Sequence, residues 1–177
     1  MKERDEIGLK IASKEFETFM NDAIKYRISN MYLSKHDVEY ISNPKSADII
    51  HMGNGLIIEL NNSILYEFGT GFGVCDYHLK FGKPSSFPIS EYYLSIKDSD
   101  IDNLKQLIGK NPCWLLPATC HREQTVLMSI EFRNTDKSKF LIVGSHFETL
   151  VNGEMMHSYD GAWIVTDQIK VEKAKLL

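Results

Sequence analysis

The sequence predicts an α+β domain in which an N-terminal helix packs on a largely antiparallel sheet of two β-meanders, with one further helix inserted. Three observations indicate this fold. Apolar residues recur at helical spacing before residue 31, short runs rich in Ile and Leu follow from residue 47, and turn-separated strand patterns fill residues 113–165. The 177 residues suffice for a single domain, 1–177, with the loop-like residues 80–88 as an alternative boundary between two sub-lobes.

Two helices are predicted in the first part of the chain. The first covers residues 13–31, with Ser13 as its N-cap and apolar residues at the i, i+3, i+4, i+7 positions. These apolar residues are Phe16, Phe19, Met20, Ala23, Ile24 and Ile28. The second, shorter helix is predicted from Ser34, with Asp37 as a capping-box acid and Asn43-Pro44 as its end.

Residues 47–68 predict the first meander, with three short strands of sequence ADIIHM, LIIEL and ILYEF. Gly53-Asn54-Gly55 and Asn61-Asn62 separate these strands, and both are turn sequences that tolerate positive φ. The glycine-rich residues 69–73 resemble a phosphate loop only superficially, because no helix pattern opens after them and the Lys-Ser/Thr pair is missing. We predict an irregular turn or a bulge at these glycines.

The rest of the chain predicts the inserted helix and the second meander. Residues 90–96 have strand character, and an acidic stretch after them leads into a helix at about residues 99–109. Five further strands are predicted within residues 113–117, 124–132, 139–151, 154–159 and 162–165. The polar residues 134–138 form one turn, and Asn152-Gly153 is the strongest two-residue hairpin signal in the chain.

The composition argues against several classes of function. The formal net charge is -4, with 20 Lys+Arg against 24 Asp+Glu, whereas a nucleic-acid-binding protein needs a basic footprint. The first ten residues lack the apolar stretch of a secretory signal, and no run approaches the roughly 20 apolar residues that span a bilayer. We therefore expect a cytoplasmic protein with no membrane partner, whose three cysteines are free thiols; the alternative is a Cys113–Cys120 pair.

Acidic residues are separated from basic residues along both meanders. No Lys or Arg occurs between Lys45 and Lys80 or between Lys139 and Lys170. If the meanders share a sheet, their acids form a surface that attracts a basic protein, and nearby aromatic residues anchor it. The candidate contact residues are Glu59, Glu67, Asp76, Glu148, Glu154 and Asp160, and the candidate anchors are Tyr66, Phe72, Tyr77, Tyr159 and Trp163. The alternative is that the acids are scattered over both faces, because strands use few lysines.

A second candidate site lies in the last meander, where a histidine followed two residues later by a glutamate occurs twice. Residues two apart face the same side of a strand, and the Asn152-Gly153 hairpin brings a further histidine back toward the second pair. Together they would form a metal-dependent or acid–base hydrolase site. The members are His121, Glu123, His146, Glu148 and His157. If the register slips by one residue, the two pairs lie on opposite faces of the sheet. The alternative is therefore a set of surface and half-buried histidines that pair with nearby acids. We predict no cofactor for this protein.

A small, acidic α+β protein without a catalytic motif resembles the bacterial immunity proteins, which neutralise the toxin domains of rival or sister cells. The resemblance rests on size, acidity and the absence of motifs, and no residue of that class is carried over to this sequence. It implies a non-enzymatic protein that binds one basic, often nuclease, toxin domain tightly and blocks its active site or the entry of its substrate.

Overall fold

The computed structural model describes residues 17–19, 21–22, 25–73, 76–84, 90–119, 127–134, 139–144, 149–151, 154–156 and 162–167. In chain order the strands are β1 (Ile28–Ser34), β2 (Ile49–Met52), β3 (Leu56–Leu60), β4 (Leu65–Gly73), β5 (Asp76–Gly82), β6 (Tyr93–Ser95), β7 (Pro112–Thr119), β8 (Leu127–Asn134), β9 (Lys139–Gly144), β10 (Thr149–Val151), β11 (Glu154–Met156) and β12 (Ala162–Val165). The helices are α1 (Lys35–Glu39) and α2 (Asp102–Lys105), with 3-10 turns at Pro44–Ser46 and Ile96–Asp98. The α+β class with antiparallel sheets is confirmed, and the helices are short.

The described strands form two five-stranded antiparallel sheets and one small hairpin. The first sheet has the order β5-β4-β3-β1-β6, and the second has the order β2-β12-β9-β8-β7. β10 pairs with β11 as a separate two-stranded sheet. The prediction of one sheet built from two meanders is therefore wrong.

The N-terminal helix prediction is wrong at its C-terminal end. Residues 17–19, 21, 22 and 25 are helical, but the chain enters β1 at Ile28, inside the range predicted as helix. Met31 and Leu33 are buried while the residues between and after them are half-exposed, which is the period of a strand. The start of the helix predicted from Ser34 is confirmed as α1, but α1 ends at Glu39 rather than at Asn43-Pro44, and the Ser34 side chain makes no capping hydrogen bond.

β2 and β3 follow each other in the chain but lie in different sheets, so Gly53-Asn54-Gly55 is a corner rather than a hairpin turn. β2 pairs with β12, and β3 pairs with β1 and β4. Asp37, predicted as a capping acid, holds this corner instead. Its buried carboxylate accepts hydrogen bonds from the backbone N–H of Gly53 at 3.1 Å and of Asn54 at 3.0 Å, and from Asn54 Nδ2 at 3.1 Å.

Two further predictions of local structure are corrected. The glycine-rich residues 69–73 are not a turn, because they complete β4 and pair with β5 from Gly69↔Lys80 to Gly73↔Asp76. The inserted helix is shorter than predicted, because only Asp102–Lys105 is helical and a turn follows it as far as Gly109, whose φ is 85°. Residues 85–89, which include most of the possible lobe boundary, lie outside the described residues.

Both predicted hairpins of the second half are confirmed by strand pairing. Arg133 of β8 is in register with Lys139 of β9, on either side of the predicted polar turn. Val151 is in register with Glu154, which leaves a two-residue connection at Asn152-Gly153. The long strand predicted for residues 139–151 is divided, since β9 and β10 belong to different sheets.

One hydrophobic core lies between the two sheets and the helical segments. The first sheet contributes Leu33, Leu56, Ile58 and Phe68, and the second contributes Ile50, Met52, Phe140 and Ile164. Phe19 of the first helical segment packs on the Tyr66 and Phe68 rings at centroid distances of 4.4 and 5.4 Å. The first sheet therefore turns one face toward the core. No helix in the described part of the chain is long and apolar enough to cross a membrane.

Candidate binding face

The face of the first sheet that is turned away from the core carries the candidate site. Leu33, Ile58 and Phe68 are fully buried in the core, so the residues that alternate with them along β1, β3 and β4 lie on the opposite face. We call this the outer face. Its members on β1, β3, β4 and β6 are Asn30, Tyr32, Ser34, Ile57, Glu59, Leu65, Glu67, Gly69, Tyr93 and Ser95.

Tyr32 and Glu59 form a hydrogen-bonded pair on neighbouring strands of the outer face. The Tyr32 hydroxyl donates to Glu59 Oε2 at 2.7 Å. Burial, and then the hydrogen bond to Glu59, raises the pKa of the Tyr32 phenol, and the negative charge of Asp98 acts in the same direction. The phenol therefore stays neutral at physiological pH and holds the Glu59 carboxylate in one orientation.

Asn30 links the edge strand β6 to the middle of the sheet. Its Nδ2 donates to Ser95 Oγ at 2.9 Å, and its Oδ1 accepts from the backbone N–H of Met31 at 2.9 Å and of Lys97 at 3.3 Å. Asn30 is only 7% exposed, so these bonds satisfy an amide that would be costly to bury alone. The polar groups of this part of the outer face are thus built into the sheet.

Glu67 lies one strand farther along the same face and has a different environment. Its Cα is in register with Ile57, which is in turn in register with Tyr32. Glu67 is half-buried, and its carboxylate has no hydrogen-bond or ion-pair partner among the described residues. Burial, and then the negative charges of Glu67 and Asp37, raises the pKa of the Tyr93 phenol.

Four of the five strands of this sheet are free of positive residues, and the fifth, β5, contains Lys80, which is in register with Gly69. β1, β3, β4 and β6 contain no Lys or Arg, whereas they contain Glu59 and Glu67. Two tyrosines near β1 and β6 in the chain are strongly exposed: Tyr40, which follows α1, is 72% exposed and packs edge-to-face on His36, and Tyr92, which precedes β6, is 61% exposed. The backbone N–H of Lys35 donates to the Tyr92 carbonyl, which connects α1 to the start of β6. The outer face thus combines acids with aromatic groups.

The structure brings together two of the six predicted contact residues. Glu59 and Glu67 share the outer face. The backbone of Asp76 pairs with Gly73 at the end of the β4–β5 ribbon, and the backbone of Glu154 pairs with Val151 in the separate hairpin. Glu148 and Asp160 lie outside the described residues. The common surface of all six acids stays a prediction.

The alternative hydrolase site lies wholly outside the described residues. This holds for each of its members, His121, Glu123, His146, Glu148 and His157. The described residues contain no group of three His, Cys, Asp or Glu side chains arranged to hold a metal ion. The hydrolase hypothesis therefore stays a prediction from the sequence.

Sequence reasoning missed the tyrosines of the outer face and misplaced one anchor. Tyr66, a predicted anchor, is 1% exposed and belongs to the core, while Trp163 is half-buried and its ring lies 4.7 Å from that of His51. A signal for the missed residues was present, because the tripeptide Tyr-Leu-Ser occurs at 32–34 and again at 93–95. The two copies pair antiparallel, so each tyrosine lies opposite a serine.

No family model matches the chain, and no curated protein or solved structure is significantly similar to it. The functional assignment therefore depends on the chemistry of the outer face. That face offers half-buried carboxylates, aromatic rings and a hydrogen-bonded antiparallel backbone.

Proposed function

We propose that the chain is a non-enzymatic binding protein that neutralises a basic protein partner through the outer face, in the manner of an immunity protein acting on a cognate toxin domain in the cytoplasm. One observation supports the proposal above the others. Glu59 and Glu67 lie on the same face of four neighbouring strands that contain no Lys or Arg. A surface of this kind favours a partner of opposite charge and repels nucleic acid.

The tyrosines give such a contact its short-range energy. Tyrosine is enriched at the centres of protein interfaces because it buries a large ring at low entropy cost and keeps a polar hydroxyl. Tyr32 and Tyr93 lie among the acids of the outer face, and Tyr92, which directly precedes the edge strand β6, is strongly exposed. The acids then increase the rate at which the basic partner associates, and the tyrosine rings supply the contact area that keeps it bound.

The backbone of the outer face favours tight binding because it is ordered before the partner arrives. Glu59 is held by the Tyr32 hydroxyl, and Asn30 fixes the edge strand through Ser95. A preorganised carboxylate loses little side-chain entropy on binding, so more of the contact energy appears as affinity. A basic toxin domain whose active site accepts a polyanion would be blocked by the same negative surface.

The test is a titration calorimetry experiment with any toxin-like domain that a reading frame beside that of this chain encodes. The double variant Glu59→Lys/Glu67→Lys should weaken the affinity by about 100-fold or more, since each reversed charge costs about 1.4 kcal/mol or more. The matched control is Glu17→Lys, because Glu17 is exposed on the helical segment that packs on the core face. This control should change the affinity less than about threefold.

Two results would contradict the proposal. One is an unchanged dissociation constant for the double variant when circular dichroism shows that it is folded. The other is the absence of binding by the wild-type protein to the neighbouring domain at low ionic strength, where attraction between opposite charges is strongest. Under the proposal, raising the salt concentration slows association more than it speeds dissociation.

A further inference from the structure

The corner at Gly53-Asn54-Gly55 carries the chain from one sheet to the other. β2 ends at Met52 in the second sheet, and β3 begins at Leu56 in the first. Of the three hydrogen bonds that the Asp37 carboxylate accepts at the corner, two come from Asn54. The Asn54 backbone N–H donates to Oδ2 at 3.0 Å, and its side-chain Nδ2 donates to Oδ1 at 3.1 Å. We call these two bonds the Asp37 clamp.

Asn54 has the sequence context in which an asparagine side chain reacts with its own backbone. It is exposed, and a glycine follows it directly. The backbone nitrogen after an asparagine can attack the side-chain amide carbon, and glycine favours this attack because it has no side chain and the widest choice of backbone conformations. A residue with a side chain follows each of the other described asparagines, which are Asn30, Asn43, Asn61, Asn62, Asn103, Asn111 and Asn134.

The Asp37 clamp opposes this reaction while the corner is closed. It binds Nδ2, the group that must leave, to the same carboxylate that binds the Asn54 backbone N–H, so the side chain is held back toward its own backbone nitrogen. Gly55 is buried against the backbone of β4, since a Cβ there would lie 2.9 Å from the Phe68 carbonyl oxygen. A new bond at the Gly55 nitrogen therefore requires the corner to open.

We infer that Asn54 is a covalent modification site, where opening of the Asp37 clamp lets the side chain cyclise onto the Gly55 nitrogen and the product prevents the corner from closing again. The Gly55 nitrogen bonds to Asn54 Cγ and loses its proton, the Cγ–Nδ2 bond breaks, and the amide nitrogen leaves with that proton as ammonia. Water then opens the cyclic imide at either carbonyl, which gives aspartate or isoaspartate. Water is the only other reactant, and the inference does not depend on the proposed function.

Both products are incompatible with the Asp37 clamp. In aspartate, a carboxylate oxygen replaces the Nδ2 donor and faces the Asp37 carboxylate, so two negative charges repel each other where a hydrogen bond was. Asp37 is only 4% exposed, so water screens little of this repulsion. Isoaspartate instead adds a backbone carbon between β2 and β3, which changes the spacing of the corner. The modification thus destabilises the connection between the two sheets.

The first experiment compares the rate of modification in the folded and the denatured full chain. Both samples are kept in mildly alkaline buffer, one of them with guanidinium chloride, and peptide mass spectrometry follows the change from amide to acid at each asparagine. In the denatured chain, Asn54 and Asn152 should convert at similar rates, because glycine follows both. In the folded chain, Asn54 should convert at least about tenfold more slowly than in the denatured chain, since its bonds to a charged acceptor must break first.

Asp37→Asn weakens the clamp with little change in shape. An amide at this position offers one acceptor oxygen in place of two and carries no negative charge. Asn54 should therefore convert about threefold or more faster in this folded variant than in the folded wild-type protein. If the variant does not fold, the comparison of folded and denatured wild-type protein still decides whether the closed corner protects Asn54.

Asn54→Asp places the aspartate product directly in the corner. This variant should raise the equilibrium constant for unfolding about tenfold or more, as chemical denaturation measures it. The matched control is Asn61→Asp, because Asn61 is also exposed and its Oδ1 only accepts, from the Arg27 backbone N–H at 3.2 Å, which a carboxylate also does. The control should change the unfolding constant less than about threefold.

Three results would overturn the inference. The first is an equal rate of Asn54 conversion in the folded and the denatured wild-type chain. The second is an unchanged rate in a folded Asp37→Asn protein, and the third is equal stability of the Asn54→Asp and Asn61→Asp proteins. None of these measurements involves the basic partner, so their failure and the failure of the proposed function are distinguishable.

Discussion

Two tyrosine–carboxylate pairs lie on opposite faces of the first sheet. On the core face, the Tyr66 hydroxyl donates to Asp22 at 2.5 Å, and the Tyr66 ring packs on Phe19. On the outer face, the Tyr32 hydroxyl donates to Glu59 at 2.7 Å. Tyr66 is 1% exposed, whereas Tyr32 is only half-buried. The same two chemical groups thus occupy two settings within one sheet.

The same tyrosine–carboxylate hydrogen bond has a different consequence on each face of the sheet. Tyr66 joins the N-terminal helical segment to the sheet across the core, so its hydrogen bond stabilises the packing of two elements. Tyr32 joins two adjacent strands that the backbone already pairs, so its bond adds little to the fold. It orients a half-buried carboxylate on the outer face instead. We therefore expect the core pair to control stability and the outer pair to control binding.

The largest expected change in stability comes from removing the Phe19 ring, which packs against Tyr66 of the core pair. Phe19→Ala should lower the free energy of unfolding by about 3–5 kcal/mol, because it removes a fully buried ring and leaves a cavity against Tyr66 and Phe68. Chemical denaturation measures this change. The control is Glu17→Ala in the same helical segment, which is exposed and should change stability by less than about 0.5 kcal/mol. A loss below about 1 kcal/mol for Phe19→Ala would mean that this segment contributes little to the core.

A smaller loss is expected from Tyr66→Phe, which keeps the ring and removes the hydroxyl. Stability should fall by about 1–2 kcal/mol at neutral pH, because Asp22 loses a charge-assisted hydrogen bond. Burial, and then the bond to Asp22, raises the pKa of Tyr66 above the value of about 10 expected in the unfolded chain. The contribution of the hydroxyl is therefore complete below about pH 10 and is lost as the pH rises through the raised pKa.

Denaturation of both proteins over a series of alkaline pH values checks this sign. The gap in stability between the wild-type protein and Tyr66→Phe should be constant from neutral pH to about pH 10 and should then narrow. A gap that widens above pH 10 would contradict the assigned direction of the pKa shift. A gap that is absent at neutral pH would contradict the stabilising role of the hydroxyl.

Local sequence signals predicted many of the strands and turns, whereas the pairing of strands that are far apart in the chain was not predicted. The Ile- and Leu-rich pattern of β3 and the Asn152-Gly153 hairpin were predicted correctly because their information lies in adjacent residues. The position of β2 was not predicted, because Gly53-Asn54-Gly55 is equally compatible with a hairpin and with a corner. The choice depends on β12, far along the chain, and on the Asp37 carboxylate that holds the corner.

The sequence predicted the acidic residues of the candidate site but not its tyrosines. The absence of Lys and Arg between residues 45 and 80 drew attention to Glu59 and Glu67. Tyr32 was not predicted to lie in a strand, because the helical spacing of Ile24 and Ile28 extended the predicted first helix to residue 31 and competed with the strand pattern of Met31 and Leu33. Only the antiparallel pairing of the two Tyr-Leu-Ser tripeptides brings Tyr93 beside β1.

The smallest expected change in stability, and the sharpest contrast, comes from Tyr32→Phe. Stability should fall by less than about 1 kcal/mol, because the half-exposed Glu59 carboxylate can bond to water once the hydroxyl is gone. The affinity for the basic partner should nevertheless fall about threefold to tenfold, since Glu59 must then be ordered during binding. Tyr66→Phe should give the reverse pattern, with a larger loss of stability and an unchanged dissociation constant. Calorimetry and denaturation on the two variants in parallel test this, and equal losses of affinity would contradict the division of roles between the two faces.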